Sequence, residues 1–197
     1  MKKLVTIMIG VALSTACFAQ FSKGTIMAGG SLSATFDTDK TEAGNITTTT
    51  GTRSSFSVSP QAGYFVIDNL AVGAGIDLYT STFKPQNSAN KSTSSSTSLA
   101  PFARYYYKKL YGQFAFNVGT GNTKITNGNT TTDNKYSTSG WKLAVGYAYL
   151  LNEHVAVEPQ IGYASLSEKD KTSGTIFRNS GLFINVGFQI YLSKLGK

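Results

Sequence analysis

Apolar and polar residues alternate with a period of two through much of the chain, most clearly in PQAGYFVIDNLAVGAGIDL, Pro60 to Leu78. Ala62, Tyr64 and Val66, then Leu70, Val72, Ala74, Ile76 and Leu78, share one face, while Gln61, Gly63, Ala71, Gly73, Gly75 and Asp77 share the other. Such alternation marks strands whose two faces meet different surroundings. Ile67-Asp68-Asn69 separates the two runs and predicts a short turn, so the unit is a hairpin. It recurs: Tyr64, Tyr105, Tyr147 and Phe188 are 41, 42 and 41 residues apart, each on a strand leading into a short turn or the chain's end.

Read in order, the pattern predicts strands over Thr25–Phe36, Phe56–Val66, Leu70–Phe83, Leu99–Tyr107, Leu110–Thr120, Gly140–Leu150, His154–Ser165 and Gly181–Leu192. Short turns fall at Asp68-Asn69, Lys108-Lys109 and Leu151-Asn152-Glu153. Between the other strands lie polar segments without apolar periodicity: Asp37–Ser54 with its Thr47–Thr50 run, Lys84–Thr97 with the serines from Ser92, a segment ending near Tyr136, and Leu166–Asn179. These read as long loops. Short and long connections alternate strictly, which describes an all-β fold, an eight-stranded antiparallel up-and-down barrel. Strands of about ten residues tilted by roughly 40° span about 25 Å, the height of the apolar band of a transmembrane β-barrel.

The direction of the bulky face separates a soluble barrel from a membrane barrel. One alternate set holds Leu143, Val145, Tyr147, Val157, Ile161, Tyr163, Leu182, Ile184, Val186 and Phe188; the other holds Lys142, Ala144, Gly146, Glu158, Gln160, Gly162, Asn185, Gly187 and Gln189. Eight strands enclose little room, so rows of large side chains would crowd the lumen and the bulky set is expected outside, against lipid. Tyr64, Tyr105, Tyr107, Tyr147, Tyr149 and Phe188 then form an aromatic girdle near the short turns, with Trp141, Phe56 and Phe36 at the other rim. Pro60, Pro101 and Pro159 fall on the outward face inside strands and are expected to mark bulges or bends.

The architecture and the segments PQAGYFVIDNLAVGAGIDL, PFARYYYKKLYGQFAFNVG and AVGYAYLLNEHVAVEPQIGY resemble the small outer-membrane β-barrel proteins of the OmpA/OmpX type, and more closely the barrel-domain proteins of Bacteroidetes-like bacteria, often named porin family proteins. The resemblance spans essentially the whole mature chain. It implies outer-membrane lipid and lipopolysaccharide as surroundings. The last strand also resembles the signal read by barrel-assembly machinery, at Asn185, Gly187, Ile190 and Leu192, although Ser193 to Lys197 follow where such signals commonly end the chain.

Targeting fits this picture. Lys2 and Lys3, the apolar run Leu4 to Leu13, and the small residues before Gln20 have the layout of a secretory signal peptide over residues 1–19, cleaved after Ala19. A lipoprotein cut before Cys17 is the alternative, weakened by Ser14 standing where a bulky aliphatic residue belongs. Residues 20–197 form one domain. Cys17 is the chain's one cysteine, so the mature chain holds no disulfide or thiolate metal site. Without Lys2 and Lys3 the net charge falls from +8 to +6. The positive charges are scattered, which disfavours nucleic acid as a partner.

Candidate chemistry is sparse, and no cofactor, metal or catalytic residue is expected. His154 is the single histidine and abuts a short turn, away from any serine and acid that a lipid-ester hydrolase would need. Asp37, Asp39 and Glu42 lack the ligand spacing of a calcium loop, and Gly73 and Gly75 sit in mid-strand with no helix to make a phosphate cradle. Parity instead turns Asp77, Arg104, Lys142 and Glu158 into the lumen, two acids and two bases, with Arg104 and Glu158 at a similar low level and Asp77 and Lys142 higher. Cross-lumen pairing would satisfy these charges and close the passage. The expected protein is a non-catalytic, monomeric outer-membrane barrel with a structural or surface-interaction role. The alternatives are a narrow porin-like channel and a lipid-modifying enzyme.

Overall fold

The computed structural model describes residues 21–43, 46–86, 88 and 90–192. The expected signal segment with Cys17 lies outside the described residues, as do Gln20 and the Ser193 to Lys197 tail. Nine strands make one sheet: β1 (Ile26–Ala43), β2 (Ile46–Ile67), β3 (Leu70–Pro85), β4 (Lys91–Tyr107), β5 (Leu110–Asn127), β6 (Thr130–Tyr147), β7 (Tyr149–Leu150), β8 (Val155–Asp170) and β9 (Ile176–Leu192). Each pairs antiparallel with its sequence neighbour from β1 to β6. Strand β7 continues β6 beyond Ala148, and both pair with β8, so the nine strands form eight staves. Pairing of β1 with β9 closes the ring.

The outward face is apolar as the alternation requires. Tyr64, Tyr105, Tyr107, Tyr147, Tyr149 and Phe188 are exposed toward the short-turn end, and Phe36, Phe56 and Trp141 toward the other. Closing the ring removes the sheet edges over the rungs from Ile26–Leu192 to Ser31–Gly187, and a sheet crosses hydrocarbon where its backbone groups find partners within the protein.

Three expectations are corrected. The long polar segments are not loops; they continue the strands well past the apolar band. Thr47–Thr50 lies in β2, paired with β1, and Ser92–Ser98 lies in β4, paired with β3 and β5. Where both faces are wet the apolar period disappears, but Ser and Thr still satisfy one another across strands. Thr82 and Thr93 hydroxyls lie 3.2 Å apart, Ser94 and Thr123 2.9 Å, and Ser55 and Ser81 2.9 Å. The remaining connections are short: Asn127 pairs with Thr130 around Gly128, and Asp170 closes another turn before Thr175.

The prolines mark no bulge. Registers shift between Asp39 and Lys40 and between Phe65 and Ile67, neither at a proline. On either side of Pro60 the β2–β3 register is unchanged, and the same holds for Pro101 between β4 and β5. A missing N–H removes a rung from one ladder without altering the count of residues.

Finally, the lumen is not free of large side chains. Phe21, Met27, Phe65, Phe102, Tyr106, Tyr111 and Tyr191 are buried together inside the short-turn end. Glycine directly opposite on the neighbouring strand supplies the room, Gly73 beside Phe102 and Gly146 beside Tyr111. A Cβ on Gly73 would come within 2.7 Å of the Phe102 ring, and one on Gly146 within 2.3 Å of the Tyr111 ring.

Candidate functional site

The lumen holds two ion pairs stacked along the axis. Arg104 on β4 and Glu158 on β8 are each 1 % exposed, and Arg104 Nη1 lies 2.7 Å from Glu158 Oε2. A buried pair is stable only when its remaining hydrogen-bonding capacity is also used. Here Arg104 Nε donates to Gln113 Oε1 at 2.6 Å and Nη1 donates to the Tyr106 hydroxyl at 3.0 Å. The Tyr106 and Tyr191 hydroxyls are 2.9 Å apart, and Tyr191 donates to Glu158 Oε1, so a chain of phenols returns from the guanidinium to the carboxylate. The guanidinium also lies 4.3 Å from the Tyr111 ring centroid, over its negative face.

Nearer the long-strand end, Lys142 Nζ on β6 lies 2.6 Å from Asp77 Oδ2 on β3. Asn117 Nδ2 donates to the same oxygen at 2.6 Å. This pair is part-buried, facing a cavity of about 870 Å³ with a mixed polar and apolar lining that reaches down to Arg104 and Glu158.

Below Arg104 and Glu158 the N-terminal segment enters the barrel. The Phe21 ring stacks on Tyr106 at 4.2 Å and meets Tyr191 edge-on at 5.4 Å. The segment is pinned by backbone bonds from Asn69 N to Phe21 O at 2.7 Å and from Gly24 N to Phe65 O at 2.9 Å, and by Lys23 N donating to Asp68 Oδ1 at 2.7 Å. Aromatic packing thus fills the cross-section beneath the charges.

All four lumen charges singled out from the sequence meet in two pairs, Arg104–Glu158 and Asp77–Lys142. The other singled-out residues do not converge on them. His154 stays exposed on its turn, with Nδ1 3.2 Å from Tyr191 O, and Asp39 lies 3.5 Å from Arg53 on the sheet surface. Gly73 and Gly75 lie in mid-strand on β3. Asn185 and Gly187 face β1, with Asn185 Nδ2 donating to Ser31 Oγ at 2.9 Å, and Ile190 and Leu192 point outward.

Sequence reasoning missed Tyr106, Tyr191, Gln113, Asn117 and Phe21. Parity carried the signal for Tyr106 and Tyr191: if Tyr105 and Tyr107 face lipid, Tyr106 faces in, and Tyr191 shares its face with Gly187 and Gln189. The expectation of a lumen too narrow for large rings concealed it.

Comparisons with known proteins agree with this architecture. Among solved structures the chain is similar to the outer membrane protein OprG from Pseudomonas aeruginosa, at 13 % identity over 88 % of this chain and 98 % of that one, with a TM-score of 0.50. It is also similar to Neisserial surface protein A, at 14 % identity over 85 % of this chain and 97 % of that one, with a TM-score of 0.47. No curated protein matches. The family described as outer membrane protein beta-barrel domain matches residues 6–194, nearly the full length. The chain therefore belongs to the outer membrane protein beta-barrel domain family, and its place is the cell outer membrane.

Proposed function

We propose that this barrel is a non-catalytic surface protein of the outer membrane, with a sealed lumen and a structural or surface-interaction role. The observation that carries the reading is the buried Arg104–Glu158 pair, closed by Tyr106 and Tyr191 and capped by Phe21. An ion-selective passage needs a ring of like charge around an open path. This floor is neutral and packed. Above the apolar band, the strands rise as a Ser- and Thr-rich palisade carrying Lys84, Lys91, Lys124 and Lys169. Such a surface suits contact with the phosphates of lipopolysaccharide and with external partners. Export by the expected signal peptide puts the short turns and both termini in the periplasm. The strand β9 residues Asn185, Gly187, Ile190 and Leu192 present the pattern that assembly machinery would read.

A deletion strain tests the role. It should lose membrane integrity or adhesion while keeping normal uptake of small solutes. Impaired solute uptake with integrity and adhesion unchanged contradicts the proposal and favours a channel.

A further inference from the structure

The seam where the barrel closes is only partly zipped. Strand β1 runs to Ala43 and β9 begins at Ile176, yet the two pair only from Ile26–Leu192 to Ser31–Gly187. Beyond that point each follows its other neighbour: β1 stays with β2 to Ala43–Ile46, and β9 stays with β8 back to Lys169–Ile176. The fork is written into the sequence at Gly30, whose φ of +153° side chains rarely adopt and whose Cβ would lie 2.4 Å from Ser59 O. Asn185 bridges the foot of the fork to Ser31. Higher up, a Cβ added to Gly181 would meet nothing within 4 Å.

The fork opens within the apolar band. Its outer lips are Leu32 and Phe36 on one side and Leu182 and Ile184 on the other, 65, 82, 77 and 81 % exposed. By strand rise the five residues from Leu32 to Phe36 cover about 15 Å. Backbone N–H and C=O groups left unpaired at that depth have no water to bond. Behind them the cavity of about 870 Å³ reaches the lips, touching Leu32 and Ile184 as well as Ser31, Ser33, Ser57 and Asn185 inside. The opening is thus apolar without and hydroxyl-lined within. The deeper charges are already paired with each other, and the one further charged residue lining the cavity, Glu168, is exposed at its upper rim, away from the serines.

We propose that the β1–β9 fork is a lateral binding site for a bilayer amphiphile with an uncharged, hydroxyl-bearing head, the acyl chain lying between Leu32 and Ile184 and the head in the serine-lined cavity. Hydroxyls both donate and accept, so such a head can bond the free strand edges and the serines together. A partner strand would satisfy the edges but leave the cavity behind them unfilled. The site stands whether or not the lumen floor conducts.

The test uses the barrel in phosphatidylcholine nanodiscs with a monoacylglycerol spin-labelled near its head. Amide signals of Ser31, Ser33 and Asn185 should broaden and saturate near one equivalent, while Leu99 and Val118, on β4 and β5 at the far wall, stay sharp. In the Ala34→Cys/Ile184→Cys variant, oxidation to a disulfide across the fork should abolish the broadening and reduction should restore it. Equal broadening on the far wall, or broadening that survives the disulfide, overturns the proposal. So does hydrogen-exchange protection, without added amphiphile, of those amides of residues 32–36 that point away from β2 toward β9: independent of protein concentration it means a zipped seam, and rising with concentration it means pairing with a second copy.

Discussion

Arg104 and Glu158 show how much a single residue decides in so narrow a lumen. Replacing Glu158 by Ala leaves a guanidinium buried without its counter-charge, a loss of about 3–5 kcal/mol for a fully buried pair. Tyr191→Phe removes one donor to Glu158 and should cost about 1–3 kcal/mol. Urea unfolding in lipid vesicles would show the order, with Glu158→Ala well below Tyr191→Phe. A second residue answers to pH. The Asp170 carboxylate accepts from the Thr172 and Ser173 amides at 2.8 and 2.7 Å, and those backbone bonds, Ser173 first, hold its pKa below the ordinary 3.8. A depressed acid stabilises its turn fully above the ordinary value and loses that contribution as pH falls through the folded one. The Ser173 amide should therefore lose protection, relative to its intrinsic exchange rate at each pH, only below about pH 4, near the ordinary range of an aspartate; protection that is flat down to pH 2 contradicts it. At this scale the four lumen charges were legible by parity alone. Their phenol and amide partners were not, because a strand's parity names a face but not which side chains share a level across the lumen.

Among the elements, the strand cores were legible and their ends were not. Lipid on one side and a polar lumen on the other imprint a period of two, and that imprint stops where water bathes both faces. The upper halves of β2, β4 and β6 are therefore invisible to hydrophobic patterning, although Thr runs favour extended backbone and pair across strands. One local signal did exist: Asn127-Gly128 is hairpin chemistry, and Gly128 has φ +58° in a turn joining β5 to β6. Gly128→Val should cost about 1–2 kcal/mol, the strain of a left-handed side chain. Loss of amide protection in residues 124–133, with the membrane-embedded part of β5 unchanged, would show it. If the whole barrel loosens together, the palisade is not the separable extension described here.

For the whole molecule, closure makes two further outcomes follow. The barrel should run anomalously on a gel until boiled, and protease added to intact cells should cut near Lys91 or Lys171, at the far-end turns, rather than at Lys108-Lys109 on a short turn. Cleavage confined to Lys108-Lys109 would invert the orientation. Barrel architecture was readable because the hairpin repeats, whereas the aromatic cap depends on Phe21 returning into the lumen from outside any strand, which no period can reveal. Single-channel recording in planar bilayers shows whether this neutral, capped floor seals the lumen. The unmodified barrel should give at most small, rare conductance steps, and Glu158→Ala should raise their size and frequency. Large, stable steps from the unmodified protein would mean that the lumen is open.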